Sequence, residues 1–265
     1  MKNMERNMRK AAIVVYGIVC YLAFLATFLY TVGFLANVLV PKSIDAGAAG
    51  PFWQALLIDT ALLGLFSLQH SGMARRAFKE RWRAAFPEAA ERSTYVLMSS
   101  LTLALLFWQW QPLPTVVWSV SEAWAQLLIW GLYALGWILV LVSARLISSG
   151  HLFGLKQVRE HANGQSLSSP EFQTPSLYQY VRHPLMLGFL VAFWATPHLT
   201  VGHLVFALGL TIYILAGLRL EERDLIRTFG DRYRTYRSRV PMLVPRLHQP
   251  QRLPEEDSQQ RTGAS

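Results

Sequence analysis

Two short polar clusters hold the residue types best suited to chemistry. Arg182-His183-Pro184 opens a long apolar stretch, and Arg219-Leu220-Glu221-Glu222 closes it, with the turn residues Thr196-Pro197-His198-Leu199-Thr200 between them. If the stretch enters a bilayer and returns, both clusters reach the same face. They then offer guanidinium groups, an imidazole and two carboxylates at one mouth. Such a set suits a zwitterionic ligand, with Arg182 or Arg219 for a carboxylate and Glu221 or Glu222 for an ammonium. Tyr178, Tyr180 and Tyr213 present rings to a cation or serve as interface-belt residues. Pro184 fixes its own φ and turns His183 away from helical geometry, which marks a helix start. Charges set against a membrane helix are costly and point toward function. Read locally, the same residues are a lipid-phosphate contact, a helix cap and a juxtamembrane ion cluster. With the second arm ending at residue 218, the two glutamates would stand against the helix dipole.

The remaining candidates are weaker. His151 follows an apolar run and either joins the mouth or stands exposed in its loop. His70 and His161 read as surface or capping residues, and His198 and His203 belong to the opposite turn. Asp59, alone in an apolar run, reads as a helix-packing hydrogen bond or a point on a channel. The single cysteine, Cys20, lies in an apolar run and rules out an intramolecular disulfide. With no His-Glu-x-x-His and no cysteine cluster, no metal is expected. No Gly-rich nucleotide loop or Gly-x-Ser-x-Gly elbow is present either.

The elements that must position these residues follow from composition. The chain is 52% hydrophobic and only 15% charged, against about 25% charged in soluble proteins. Apolar runs at 11–40, 52–69, 95–110 and 124–147 read as four spans. Arms at 185–196 and 201–218 follow, the first too short for an ordinary crossing. The expected fold is therefore all-α: a polytopic membrane helix bundle of five or six segments, whose C-terminal hairpin and tail form the site. Residues 1–147 are a transmembrane scaffold, 148–248 the core that carries the chemistry, and 249–265 a disordered tail. Every Lys and Arg except Lys42 then falls on one side, which the positive-inside rule makes cytoplasmic, together with both termini. The net charge of +9 is thereby assigned to membrane lipids as partners, with no nucleic acid.

The ordered set Arg182-His183-Pro184, Gly188, Glu221-Glu222, Phe229-Gly230-x-x-Tyr233-x-x-Tyr236 and Val240-Pro241-x-x-x-Pro245 resembles the membrane methyltransferases related to isoprenylcysteine carboxyl methyltransferase. One departure is Met186, where many members carry tyrosine. Residues 70–82, 91–97 and 106–110 are similar to the bacterial methanethiol S-methyltransferases, extending the likeness over nearly the whole chain. The resemblance implies S-adenosylmethionine as methyl donor, in a bacterial inner membrane. Arg182, His183, Pro184, Gly188, Glu221 and Glu222 would lie in or beside the donor pocket, joined by His151, Leu155, Tyr178 and Arg219. Glu222, His183 and Arg182 are the expected catalytic groups, with a small apolar thiol as substrate. Such a thiol has a pKa near that of cysteine, about 8.5, so a base or positive field would assist it. Another acceptor (a prenyl-cysteine carboxylate, a lipid amine, a different thiol) fits the same fold. A transporter or assembly factor is the non-enzymatic alternative, although a transporter would be expected to place its site at the midplane.

Overall fold

The computed structural model describes residues 2–147, 153–166 and 172–245. Among these, nine α-helices account for nearly all regular structure. Four run antiparallel through the first half: α1 (Lys2–Ala36), α2 (Phe52–Ala74), α4 (Glu88–Gln109) and α5 (Ala123–Leu146), with the short basic α3 (Arg76–Ala85) between α2 and α4. The second half holds α6 (Leu155–Ala162), a 3-10 turn (Ser176–Gln179), α7 (Pro184–Trp194), α8 (Val201–Phe229) and α9 (Asp231–Arg239). Within α1, α2, α5 and α8 lie segments long and apolar enough to cross a membrane. Large apolar side chains such as Leu22, Leu57, Leu127 and Ile212 point outward from them, as a lipid-facing surface requires. The chain is an integral membrane protein built as a polytopic helical bundle.

Helix α4 is richer in Ser and Thr, yet covers the same distance. Its start meets Gly154, and at its other end Lys42 Nζ donates to the Trp108 carbonyl at 2.7 Å. The short arm is completed by extended chain. Helix α7 has 11 residues, roughly 16 Å at 1.5 Å per residue. The chain then straightens and ends in β2 (His198–Thr200), which pairs antiparallel with β1 (Val116–Ser119) in the loop before α5. The extended stretch supplies the length that the helix lacks, because a strand rises more than twice as far per residue.

Helix α7 lies directly on α5. A Cβ at Gly188 would fall 2.7 Å from the Gly136 carbonyl oxygen, and one at Gly136 would fall 2.7 Å from the Ala192 nitrogen. Small residues let membrane helices approach backbone to backbone, so these two glycines fix the depth and tilt of α7. An aromatic core of Phe34, Phe107, Trp110, Phe193 and Phe206 closes the end with the strands.

Helix α8 begins at Thr200, whose side chain accepts from the His203 amide. It does not stop at residue 218. It continues to Phe229 and ends at Gly230, whose φ of +55° suits glycine. Glu221 and Glu222 are thus interior helical residues, and the expected conflict with a C-terminal dipole does not arise. Helix α9 folds back and buries Tyr233, Tyr236 and Val240 against Phe172, Leu225, Ile226 and Phe229.

Candidate active site

Helix α8 presents Leu218 and Glu222 on its buried face, while Glu221, one residue earlier, turns outward. Opposite stands the start of α7. Pro184 occupies its first turn and His183 is the N-cap, with φ −128° and ψ 62°, outside the α region that a following proline disfavours. The His183 and Arg182 side chains therefore leave the helix toward α8.

Arg182 Nε donates to Glu222 Oε1 at 2.7 Å, and His183 Nε2 lies 3.2 Å from the same oxygen. Arg237, from α9, reaches Glu222 Oε2 at 3.3 Å. Arg182 also donates to the carbonyls of Arg237, at 3.0 Å, and Val240. The amides of Arg182 and His183 bond to the carbonyls of Pro241 (2.9 Å) and Met242 (3.2 Å). One buried carboxylate thus receives two guanidinium groups and an imidazole, and one guanidinium ties α7, α8 and the segment after α9 together. Breaking such a buried pair from one side costs about 3–5 kcal/mol, because the other charge stays behind.

The two glutamates divide their work. Glu222 is buried with both oxygens engaged. Glu221 is half-exposed, and His183 Nδ1 stands 3.9 Å from it, beyond hydrogen-bond range. Since Glu222 is an acceptor, His183 Nε2 carries a proton toward it. The Glu221 carboxylate thus faces an open gap, an arrangement that suits a cation with hydrogens to donate. One turn earlier, a Cβ at Gly217 would meet nothing within 4 Å, so space is open on the Glu221 side.

Three tyrosines back this cluster. Tyr236 donates to the Tyr178 carbonyl at 2.5 Å, and Tyr178 reaches toward the Ser143 carbonyl at 3.5 Å. Burial, with the Glu221 charge nearby, pushes the Tyr178 phenol up, and burial does the same for Tyr233 and Tyr236. All three stay protonated. The Tyr233 hydroxyl is buried without a hydrogen-bond partner and interacts electrostatically with Glu222, Arg182 and Arg237.

The family model described as NnrU protein matches residues 58–245, which takes in α2 to α9 and every group of the cluster. The chain belongs to the NnrU family. It is similar to methanethiol S-methyltransferase 2 of Bradyrhizobium diazoefficiens, 52% identical over 255 residues, covering 96% of this chain and 98% of that protein. The methanethiol S-methyltransferase of Mycobacterium tuberculosis is 47% identical over 91% of this chain and 99% of its own length. A more distant likeness is to Nurim of Xenopus laevis, 31% identical over 78% of this chain and 80% of that protein. No solved structure matches.

Of the residues singled out in the sequence, this NnrU protein brings together Arg182, His183, Pro184, Glu221, Glu222 and Tyr178. Gly188 faces Gly136, where it permits helix contact. Leu155 opens α6, which packs on α1 and α4. Arg219 is exposed, with no side-chain hydrogen bond or ion pair among the described residues. His151 lies outside the described residues. Arg237 and the Met242 carbonyl were missed, and Tyr236 and Val240-Pro241, though part of the motif that carries the resemblance, were given no site role, because in sequence they sit in a basic run. The spacing of Tyr233 and Tyr236, two neighbours on one helical face, was the available signal. His203 is fully buried, with Nε2 2.8 Å from the Phe193 carbonyl. His70 is no surface residue. It stands between Tyr95 and Ser99 of α4.

Proposed function

We propose that this chain methylates methanethiol to dimethyl sulfide with S-adenosylmethionine as donor. The reaction would take place at the end of the bundle that carries the Arg182–Glu222 cluster. That end would face the cytoplasm of a bacterial inner membrane, as the charge asymmetry argues. Methyl transfer is supported by relatives about half identical over nearly the whole chain, and methanethiol is the acceptor in their names. The observation that carries the donor is the gap between His183 Nδ1 and Glu221.

Bound there, the donor would supply an electrophilic methyl group on a sulfonium sulfur. Glu221 would receive its ammonium. Arg237, half-exposed and only partly engaged by Glu222, keeps N–H groups for its carboxylate. Tyr233 adds a buried hydroxyl. Glu222 and Arg182 are better placed to hold the frame than to move protons, since the Glu222 oxygens are already engaged by Arg182, His183 and Arg237. Alignment and exclusion of water do most of the work in such an in-line displacement.

The test is direct. Purified protein in lipid, given S-adenosylmethionine and methanethiol, is assayed for headspace dimethyl sulfide. The reading predicts its formation. Donor consumption on a different acceptor would replace methanethiol, and failure to bind the donor would overturn the enzymatic reading.

A further inference from the structure

The His70 site lies away from the Arg182–Glu222 cluster and carries a defined hydrogen-bond polarity. Helix α2 packs against both α4 and α8, and the His70 ring bridges them. Its Nε2 lies 2.6 Å from the Tyr95 hydroxyl and its Nδ1 3.1 Å from Ser99 Oγ. Ser99 has one hydroxyl hydrogen, and it goes to the Tyr95 carbonyl at 2.9 Å. Ser99 Oγ must therefore accept from His70, so Nδ1 bears the proton. Nε2 is then the acceptor, and Tyr95 donates to it. The Tyr95 oxygen keeps lone pairs for another donor.

The surroundings suit a small thiol. Phe66 and Tyr213 flank the imidazole, with centroids 5.3 and 6.1 Å away. Tyr213 accepts from Ser71 Oγ at 3.2 Å. Space is open beside Gly217, where a Cβ would touch nothing within 4 Å. His70, Tyr95 and Tyr213 are each only partly buried, so an apolar molecule dissolved in the bilayer has a way in. The Arg92 guanidinium sits 4.8 Å from the Tyr95 ring centroid. Tyr213, Gly217 and Glu221 follow one another every four residues along one face of α8, which links this crevice to the gap described above.

We infer that the crevice between α2, α4 and α8 is the thiol subsite, with Tyr95 and His70 as its proton acceptor pair. This rests on the proposed function. The thiol S–H bond breaks and its proton goes to Tyr95 Oη, while the phenolic proton moves to His70 Nε2. The sulfur electron pair forms the new bond to the methyl group. The donor's carbon–sulfur bond breaks with its electrons going to the donor sulfur, which becomes a neutral thioether. The imidazolium, held by Ser99 Oγ, returns its proton to solvent after release. The charged and titratable groups around the pair are Arg92 on α4, Arg75 after α2, and Glu221 and Tyr213 on α8. Arg92 favours thiolate and opposes a lasting imidazolium, so His70 holds the proton only in passage to solvent.

The experiment uses the full chain in lipid nanodiscs, with Tyr95→Phe and His70→Gln. Without donor, methanethiol is titrated while histidine 15N resonances are followed. A His70 signal, identified by its loss in H70Q, shifts on binding. With donor, kcat/KM for methanethiol falls about 100-fold in both variants, the lower end for a proton-transfer group, while donor affinity holds. The defect shrinks as pH rises through about 8.5, because preformed thiolate needs no acceptor. A His70 resonance indifferent to methanethiol overturns the inference, as does a defect constant with pH or accompanied by lost donor affinity. Unimpaired variants beside an active parent defeat this inference alone. A parent that binds donor and shifts its His70 signal but makes no dimethyl sulfide defeats the methanethiol assignment instead.

Discussion

The two ends of the bundle each bury a carboxylate, and they treat it differently. At the strand end, Asp59 is fully buried. One oxygen accepts from the Gln111 amide at 2.9 Å, and the other has no hydrogen-bond partner among the described residues. Around it, Thr200 bonds to Asp45 at 2.6 Å, Asn37 bonds to Asp45 at 2.8 Å, and Lys42 caps the Trp108 carbonyl. These bonds pin loops to one another. At the other end, Glu222 draws in two guanidinium groups and an imidazole, and Glu221 beside it is left half-exposed without a hydrogen bond among the described residues. The difference separates closure from chemistry. A pinned end satisfies its exposed groups, whereas a binding end spends its buried charge on holding another charge open.

The comparison can be broken most sharply at Arg182. Arg182→Ala removes the guanidinium that joins α7, α8 and the chain after α9. Unfolding in lipid micelles should show a loss of about 3–5 kcal/mol, with donor binding abolished. A loss below that of an ordinary surface substitution would remove the frame from the account. Next comes Gly188→Val, which forces a side chain into the α5 backbone. About 1–3 kcal/mol of destabilisation is expected, read as a lowered Tm, with methyl transfer reduced because α7 tilts.

Glu221→Gln sharpens the comparison from the other side. Its unfolding curve should match that of the parent, while S-adenosylmethionine affinity, by calorimetry, drops about tenfold, equivalent to 1.4 kcal/mol. Equal affinity would mean that the open carboxylate is not a ligand. Smallest is Asp59→Asn, whose carbonyl still accepts from Gln111. Stability should change by less than about 1 kcal/mol, with kcat and KM unaltered. A large catalytic effect there would erase the distinction between the ends.

Local rules and hydropathy carried the sequence reading well where the physics is local. The His183-Pro184 helix start follows from proline sterics, and the spans at α1, α2 and α5 follow from their apolar length. The extent of α8 escaped because the apolar pattern ends near residue 218, while helical hydrogen bonding continues to Gly230. The β1–β2 pairing escaped because it joins segments far apart in the chain. Arg237 and Tyr236 were hidden in a basic run whose contacts depend on how the chain folds back. His70 precedes a basic stretch that looks solvated, and its partners Tyr95 and Ser99 lie on a different helix. In each case tertiary packing, absent from any local window, decided the outcome.

The central claim is that residues 182–184, 221–222 and 237–242 form one donor site. Ultraviolet cross-linking of radiolabelled S-adenosylmethionine to the protein in lipid, followed by peptide mapping, tests it most directly. The account predicts label on peptides from 172–188 or 219–245, competed away by unlabelled donor and needing about tenfold more donor in Glu221→Gln. Competed label confined to the strand end, on 37–51, 110–122 or 195–200, would contradict it.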